Sequence, residues 1–572
     1  MKYFKSDLTL LDKEDKRKIY YIIFLGLFGT LFEVLGVGLI VPFVIIITDM
    51  NVIENNIYIQ EFSNFLNIES RSTLIKVSIF ILLFIYLFKM LYLTYFIWIK
   101  QSFTYSLQAK ISSRLFKIFL KQPYIYFSKL NSSKLIQETT NEPAVYCSGM
   151  VGKIDMLSEI LIITGLCILL LSYSLIPSLL IFVVIILIVL MYKYFTRRSA
   201  LVWGRQKKYF EALAYNLLKY VYNSIIEVKI NSKENTVSKK YSNFVYSGNK
   251  NMIKQMFMVD IPRLYIEFIA IFLFLVFIFI AFIFYDDFNQ FLPVIALFAI
   301  SAFKILPSIN RVLVGIQRIN FSRNSANVIN ELLKIEKVEN EIISSKTIDF
   351  KNQIEIKNTS FSYLQSKKVI NNLNLKIKYG EVIGIRGMSG SGKTTLVNLL
   401  LGLLKPDDGE ILIDNKDLQK NITSWQKLVS YAPQRTYILD DTIRRNICFE
   451  EEENTIDPVY LKNIVKLASL EEFVDGLDDG LDTVIGENGS QLSGGQIQRI
   501  GFARSIYKNP KFIVLDEITS SLDIKNEEII LNSIKSLSKQ MTILIISHRE
   551  NTLKICDKVF ELSNGNIKEI NT

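Results

Sequence analysis

Histidine occurs once in 572 residues, at His548, and cysteine only four times. A zinc site, a Ser-His-Asp triad or a Cys-His protease would each have to draw on that same distant side chain, so those chemistries are excluded. Cys147, Cys167, Cys448 and Cys556 are scattered without metal spacing. They read as reduced, mostly buried thiols rather than a disulfide framework. A cleaved signal peptide is not expected either, because the first apolar run is too long and lacks a small-residue cleavage site. Richness in Lys, Asn and Ile thins histidine throughout, and its retention at one position marks His548 as functional.

Apolar surface is plentiful. Half the residues are hydrophobic, 39 are Phe, and the mean hydropathy is +0.27. These values are high for a chain whose last third has the composition of a soluble domain. Stretches long enough to cross a bilayer, about 20 residues each, fall near 19–48, 74–99, 154–175, 176–196, 264–285 and 290–307. Six spans are expected, the third and fourth joined by the tight turn Ser172 to Pro177. Lys2, Lys5, Lys13, Lys16, Arg17 and Lys18 precede the first span, and segments 100–153 and 193–263 are densely basic. The other side carries Asp49, Glu54, Glu61, Glu69, Asp286 and Asp287 against little more than Arg71. The N-terminus, both long loops and the C-terminal domain are therefore expected in the cytoplasm. The +11 net charge is explained by basic loops beside anionic lipid, with no nucleic-acid partner required.

The C-terminal third carries three motifs in order. Gly387-Met388-Ser389-Gly390-Ser391-Gly392-Lys393-Thr394 follows the apolar run Val382 to Ile385 and precedes the helix-like Thr395 to Leu401. Strand, glycine loop and helix form the context in which backbone N–H groups and a helix N-terminus cradle phosphates. Lys393 then reaches the β- and γ-phosphates, and the Thr394 hydroxyl binds magnesium. Phe512 to Leu515 followed by Asp516-Glu517 reads as a buried parallel strand whose carboxyl end faces a ligand crevice. Asp516 suits the magnesium shell and Glu517 a general base for water. The third motif is Leu492-Ser493-Gly494-Gly495-Gln496.

From Ile354 onward the chain resembles the nucleotide-binding domain of ABC transporters, and Leu492 to Gln496 is similar to that family's signature. By this resemblance, Tyr363 stacks on adenine, Gln434 senses magnesium, Ser520-Ser521-Leu522-Asp523 touches the opposing subunit, and His548 contacts the γ-phosphate. Thr483 to Gly489 resembles an exporter-type segment. The nucleotide set is then Tyr363, Gly387, Ser389, Gly390, Ser391, Gly392, Lys393, Thr394 and Thr395 from one chain, with Ser493, Gly494, Gly495 and Gln496 from the other. Magnesium falls to Thr394, Gln434 and Asp516, and catalysis to Glu517, His548, Gln434 and Lys393.

The implied fold is a membrane all-α domain of six helices with long cytoplasmic extensions over 1–331. A linker follows at 332–350, and an α/β P-loop ATPase domain at 351–572. One ATP loop and one signature per chain imply a homodimer. The tips near Gln122 to Phe127 and Asn223 to Lys229 would be coupling helices docked beside Gln434. A chromosome-maintenance ATPase shares the signature but needs a long coiled coil, whereas only residues 395–491 separate loop and signature here. A peptide exporter with an N-terminal peptidase is not expected before so short a basic N-terminus.

Cargo is addressed by ionisable groups inside the spans, which are costly there and so point to function. Lys89 and Lys304 each lie about 15 residues from the outer end of their span, roughly 22 Å down a helix. Arg263 sits at the inner start of span five. Two readings stand: a basic ring for an anionic head group, or structural pairs with Glu33, Glu159 or Glu267. Phe32-Glu33, Ile261 to Glu267 and Leu306 to Arg311 resemble the ABC flippases of lipid-linked oligosaccharides in bacterial protein N-glycosylation. That resemblance implies a polyprenyl-pyrophosphate cargo at Lys89, Arg263 and Lys304 in the inner membrane. It departs from the family in having Lys at two positions where that family has Arg, which keeps charge but loses the bidentate fork. Exporters of lipid A type or multidrug substrates are the rival. Ile57, Tyr58, Phe62, Phe65 and Leu66 fall on one side of a short helix beginning near Glu54, which either engages the lipid tail or rests in the interface.

Overall fold

The computed structural model describes residues 11–48, 57–68, 70–173, 178–179, 183, 199–284, 292–339, 348–363, 368–449, 455–486 and 489–570. The chain divides into two bodies, residues 1–122 with 130–339 and residues 123–129 with 340–572.

The first body is helical: α1 Lys13–Gly38, α2 Ile40–Thr48, α3 Ile57–Phe65 and α4 Arg71–Leu120 come before the short α5 Tyr124–Lys129, which belongs to the other body. Then follow α6 Ser132–Tyr173, α7 Ser199–Asn223, α8 Ile225–Ile230, α9 Glu234–Phe284 and α10 Leu292–Glu339. Helix α4 starts where it does because the Ser70 side chain accepts from the backbone N–H of Thr73. One residue on, Arg71 donates to the carbonyls of Ile46 and Ile47, satisfying the end of α2. The lone basic residue expected on the outer side thus has a structural task.

Among the described residues, four helical stretches are long and apolar enough to cross a membrane: Lys13–Ile47, Arg71–Leu120, Ser132–Ser172 and Ile295–Lys334. The expected span 176–196 lies almost wholly outside the described residues, and 264–285 falls on the second half of α9. Phe80, Phe84, Trp98 and Phe272 stay exposed, a surface that suits lipid rather than water. Within the expected linker 332–350, residues 332–339 continue α10, and Ile348 and Phe350 are buried in the core of the second body.

Helices α6 and α10 approach through glycine. A Cβ on Gly149 would lie 2.2 Å from Ser322 Cβ, and one on Gly315 would lie 2.9 Å from the Gly152 carbonyl oxygen. Because a Cβ cannot rotate away, Gly149→Ala forces the helices apart. It should cost about 1–3 kcal/mol, read as a lowered thermal midpoint of the purified protein; an unchanged midpoint would show that the crossing yields freely.

Helix α3 begins at Ile57, and its buried side chains are Ile59 and Ser63. Ile59 packs with Ile46, Ile68 and Leu74. The expected apolar side, Ile57, Tyr58, Phe62, Phe65 and Leu66, remains exposed. A different face therefore holds this helix to the protein.

The second body holds two sheets. β1 Gln353–Phe361, β2 Ile370–Lys378, β4 Asp408–Ile413 and β5 Lys416–Asp417 form an antiparallel sheet in the order β2-β1-β4-β5. β3 Val382–Arg386, β6 Val429–Ala432, β7 Phe512–Asp516, β8 Thr542–Ile546, β9 Lys558–Ser563 and β10 Asn566–Ile570 form a second sheet. Its order is β10-β9-β3-β8-β7-β6, parallel except for the terminal hairpin β9-β10. The inner strands β3, β7 and β8 are unbroken apolar runs because helices and the other sheet cover both faces. Helices α11 Lys393–Leu400, α12 Gly494–Tyr507 and α13 Ile524–Leu537 pack on the sheet. The short α5 joins this body through Ile125, which packs against its main apolar core.

Candidate functional site

Strand order builds the site. β3, β8, β7 and β6 are neighbours, so the segments leaving their carboxyl ends emerge side by side. Those segments are the glycine loop after β3, His548 after β8, Asp516-Glu517 ending β7, and Gln434 after β6. Residues far apart in sequence thereby share one edge.

The loop is shaped by its glycines. Gly390 and Gly392 have φ of +80° and +107°, conformations that a side chain disfavours. A Cβ on Gly387 would lie 2.3 Å from the Leu562 carbonyl oxygen. Gly392 is the N-cap of α11, whose first N–H groups open toward the loop. Lys393 Nζ donates to the carbonyls of Gly387 and Met388, the latter at 3.1 Å, and lies 3.5 Å from His548 Nε2. The Ser391 hydroxyl is buried with no hydrogen-bond partner. A left-handed glycine loop, a helix start, an ammonium and an orphaned hydroxyl fit the oxygens of a phosphate chain. Tyr363 sits beside this loop: the Thr395 hydroxyl donates to its Oη at 3.4 Å, and its ring meets Phe361 edge-on at 5.1 Å.

Glu517 stands between Gln434 and His548, two of the residues expected to act with it. Its φ of +51° is left-handed for a non-glycine residue, a strain found where function fixes a side chain. Its backbone N–H donates to the Ile546 carbonyl at 2.9 Å, tying β7 to β8. Gln434 Nε2 donates to one of its carboxylate oxygens, and His548 Nε2 lies 3.8 Å from the other. Gln434, Glu517, His548 and Lys393 are therefore one contiguous constellation. Tyr431 Oη donates to Asp516 Oδ2 at 3.1 Å. Burial raises the Asp516 carboxyl above its ordinary range. Burial, and then the adjacent Asp516 charge, push the Tyr431 phenol up as well, so it stays a donor.

Ser493 is the N-cap of α12 and forms a capping box with Gln496: its hydroxyl accepts from the Gln496 N–H while the Gln496 side chain accepts from the Ser493 N–H. A Cβ on Gly495 would lie 3.2 Å from Leu522 Cδ2 and from the Ser521 carbonyl, so the glycines let α12 close on 520–522. Gln498 donates to the Ser520 hydroxyl and the Glu517 carbonyl and accepts from the Ser521 N–H. Sequence reading missed Gln498 and Tyr431. A polar residue on the buried face of the signature helix was the available sign of the first; nothing beyond its place beside Gln434 marked the second.

In the membrane body, Lys89 and Lys304 meet at one carboxylate. Their Nζ atoms lie 2.7 Å and 2.8 Å from Glu33 Oε2. Lys89 is 5% exposed, and its ammonium also lies 5.1 Å above the Tyr86 ring. Tyr86 donates to the Gly36 carbonyl at 3.0 Å. The shared depth of the two lysines is thus accompanied by the Glu33 pairing. Arg311 makes a two-pronged pair with Glu159. Arg263 lies on α9, but its side chain lies outside the described residues.

Residues 370–520 match the sequence model of the family described as ABC transporter. The whole chain has an ABC exporter fold, a domain of long apolar helices joined to an α/β domain. It is similar to the structure of a bacterial Atm1-family ABC exporter with ATP bound, at a TM-score of 0.78 and 18% identity, covering 98% of this chain and 95% of that one. A provisionally named export ATP-binding/permease protein of Rickettsia typhi is 41% identical over 217 residues, 37% of each chain. A leukotoxin translocation ATP-binding protein of Mannheimia glucosida is 38% identical over 223 residues, 39% of this chain. The matched stretch spans 37% and 31% of those relatives' lengths.

Proposed function

We propose that this chain is half of an ATP-driven exporter that works as a homodimer in the bacterial inner membrane, with its ATPase in the cytoplasm. The observation that carries the reading is the meeting of Lys393, Gln434, Glu517 and His548 at one sheet edge. The loop amides and Lys393 would hold ATP, with Tyr363 at its base, and Thr394, Gln434 and Asp516 would hold magnesium. Magnesium held there would supply charge neutralisation to the phosphates. Glu517 takes the proton of the attacking water, Gln434 orients the carboxylate, and His548 stands where the γ-phosphate would lie. Ser493 to Gln496 would close the site of the partner chain, so that two sandwiched nucleotides join the dimer.

The finer reading is a flippase for a polyprenyl-pyrophosphate-linked oligosaccharide. Two lysines from different helices at one depth support an anionic head group. Glu33 offsets one of the two charges, and this favours the rival reading, an exporter of other lipids or of apolar compounds. Liposomes loaded with the lipid-linked oligosaccharide separate them: Lys89→Ala combined with Lys304→Ala should lower translocation at least tenfold while ATP hydrolysis persists. Normal translocation by that variant would remove the anionic-cargo reading and leave the ATPase reading intact.

A further inference from the structure

β6 forms one edge of the parallel sheet and runs beside β7, with Tyr431 opposite Val514. The side chain reaches forward along its neighbour, and its hydroxyl meets Asp516 Oδ2 at 3.1 Å. Three residues later Gln434 donates to Glu517. Each of the two successive acids that end β7 is therefore held by one side chain from 431–434. The Tyr431 ring packs on the same apolar core as Ile125 of α5, and Tyr124, beside Ile125, lies within electrostatic reach of its phenol. Helix α5 is linked through short segments to α4 and α6, yet it folds with the ATPase.

We propose that Tyr431 is a positioning residue that sets the Asp516 carboxylate and transmits displacements of α5 to it. The inference rests on reading Asp516 as the magnesium carboxylate. An aspartate at a strand end is free to rotate about two bonds. A donor fixed on Oδ2 removes that freedom and leaves Oδ1 for the metal. The phenol is rigid, so its hydroxyl moves with its ring, and the ring moves with the core that it shares with Ile125. Hydrogen bonds weaken steeply as distance and angle depart from the optimum, so a small shift of α5 is enough to loosen the carboxylate. Tyr431→Phe keeps the ring and its packing and removes only this control.

The test is a magnesium titration of ATP binding to the full-length protein in lipid nanodiscs, followed with a fluorescent ATP analogue. In Tyr431→Phe the half-saturating Mg2+ concentration should rise about tenfold, the loss of one hydrogen bond to a charged group. Metal-free ATP binding should be unchanged. Ile125→Ala should move the midpoint in the same direction and add nothing to Tyr431→Phe, since both act through one hydroxyl. An unmoved midpoint in Tyr431→Phe overturns the positioning role, and full additivity overturns the transmission from α5. Equal loss of metal-free binding assigns Tyr431 to holding the fold and also overturns the proposal. Wild-type protein whose ATP binding ignores Mg2+ would instead remove the ATP-site reading on which it rests.

Discussion

Glu517→Gln should lower steady-state ATP hydrolysis about a hundredfold, the usual scale for losing a general base, while ATP binding persists. The amide has nearly the same shape as the carboxylate, keeps the contacts with Gln434 and His548 within reach, and leaves the strained backbone in place. What it removes is the capacity to accept a proton from water. Hydrolysis should be followed by phosphate release, and binding by the fluorescent analogue, on the same preparation. Wild-type turnover in this variant would dismiss Glu517 as the base and leave it an orienting group.

Glu33→Ala removes the one carboxylate shared by Lys89 and Lys304. Lys89 is too buried to find water, and the Tyr86 ring compensates only weakly for a lost anion. Breaking a buried pair of this kind costs about 3–5 kcal/mol, so the thermal midpoint of the purified protein should fall by several degrees. Replacing all three groups with apolar residues of similar size, Glu33→Leu with Lys89→Met and Lys304→Met, should restore most of that loss, because no charge is then left without a partner. Equal midpoints for wild type and Glu33→Ala would show that the triad carries no structural weight.

The division into membrane and ATPase halves was legible because each has a strong, local signal: unbroken apolar runs in one, and short glycine and acid motifs at strand ends in the other. That the motifs would come together was legible for the same reason, since parallel strand order turns the segments after β3, β6, β7 and β8 into neighbours. Glu33 was visible as one of several acids that might neutralise the lysines, but three helices had to be packed before it emerged as the partner of both. The polar, Lys- and Glu-rich sequence of 332–350 did not show how far α10 runs, because such composition suits the exposed end of a long helix as well as it suits a connecting segment. On α3, the exposed apolar residues outweighed Ile59, whose role depends on Ile46, Ile68 and Leu74. Tyr431 carried no motif of its own, because a hydroxyl that reaches across to the next strand leaves no periodic trace.

The ATPase is not a contiguous stretch of chain. Residues 123–129 pack into it, yet they leave the ribosome long before residue 340 does. For most of synthesis Ile125 has no apolar seat, and it gains one only when the last domain condenses around it. Completion of the second body therefore also seats a segment made early in the chain, between α4 and α6. A chain that stalls after α10 leaves Ile125 without its apolar cover, the kind of feature by which quality-control chaperones and proteases recognise unfinished work.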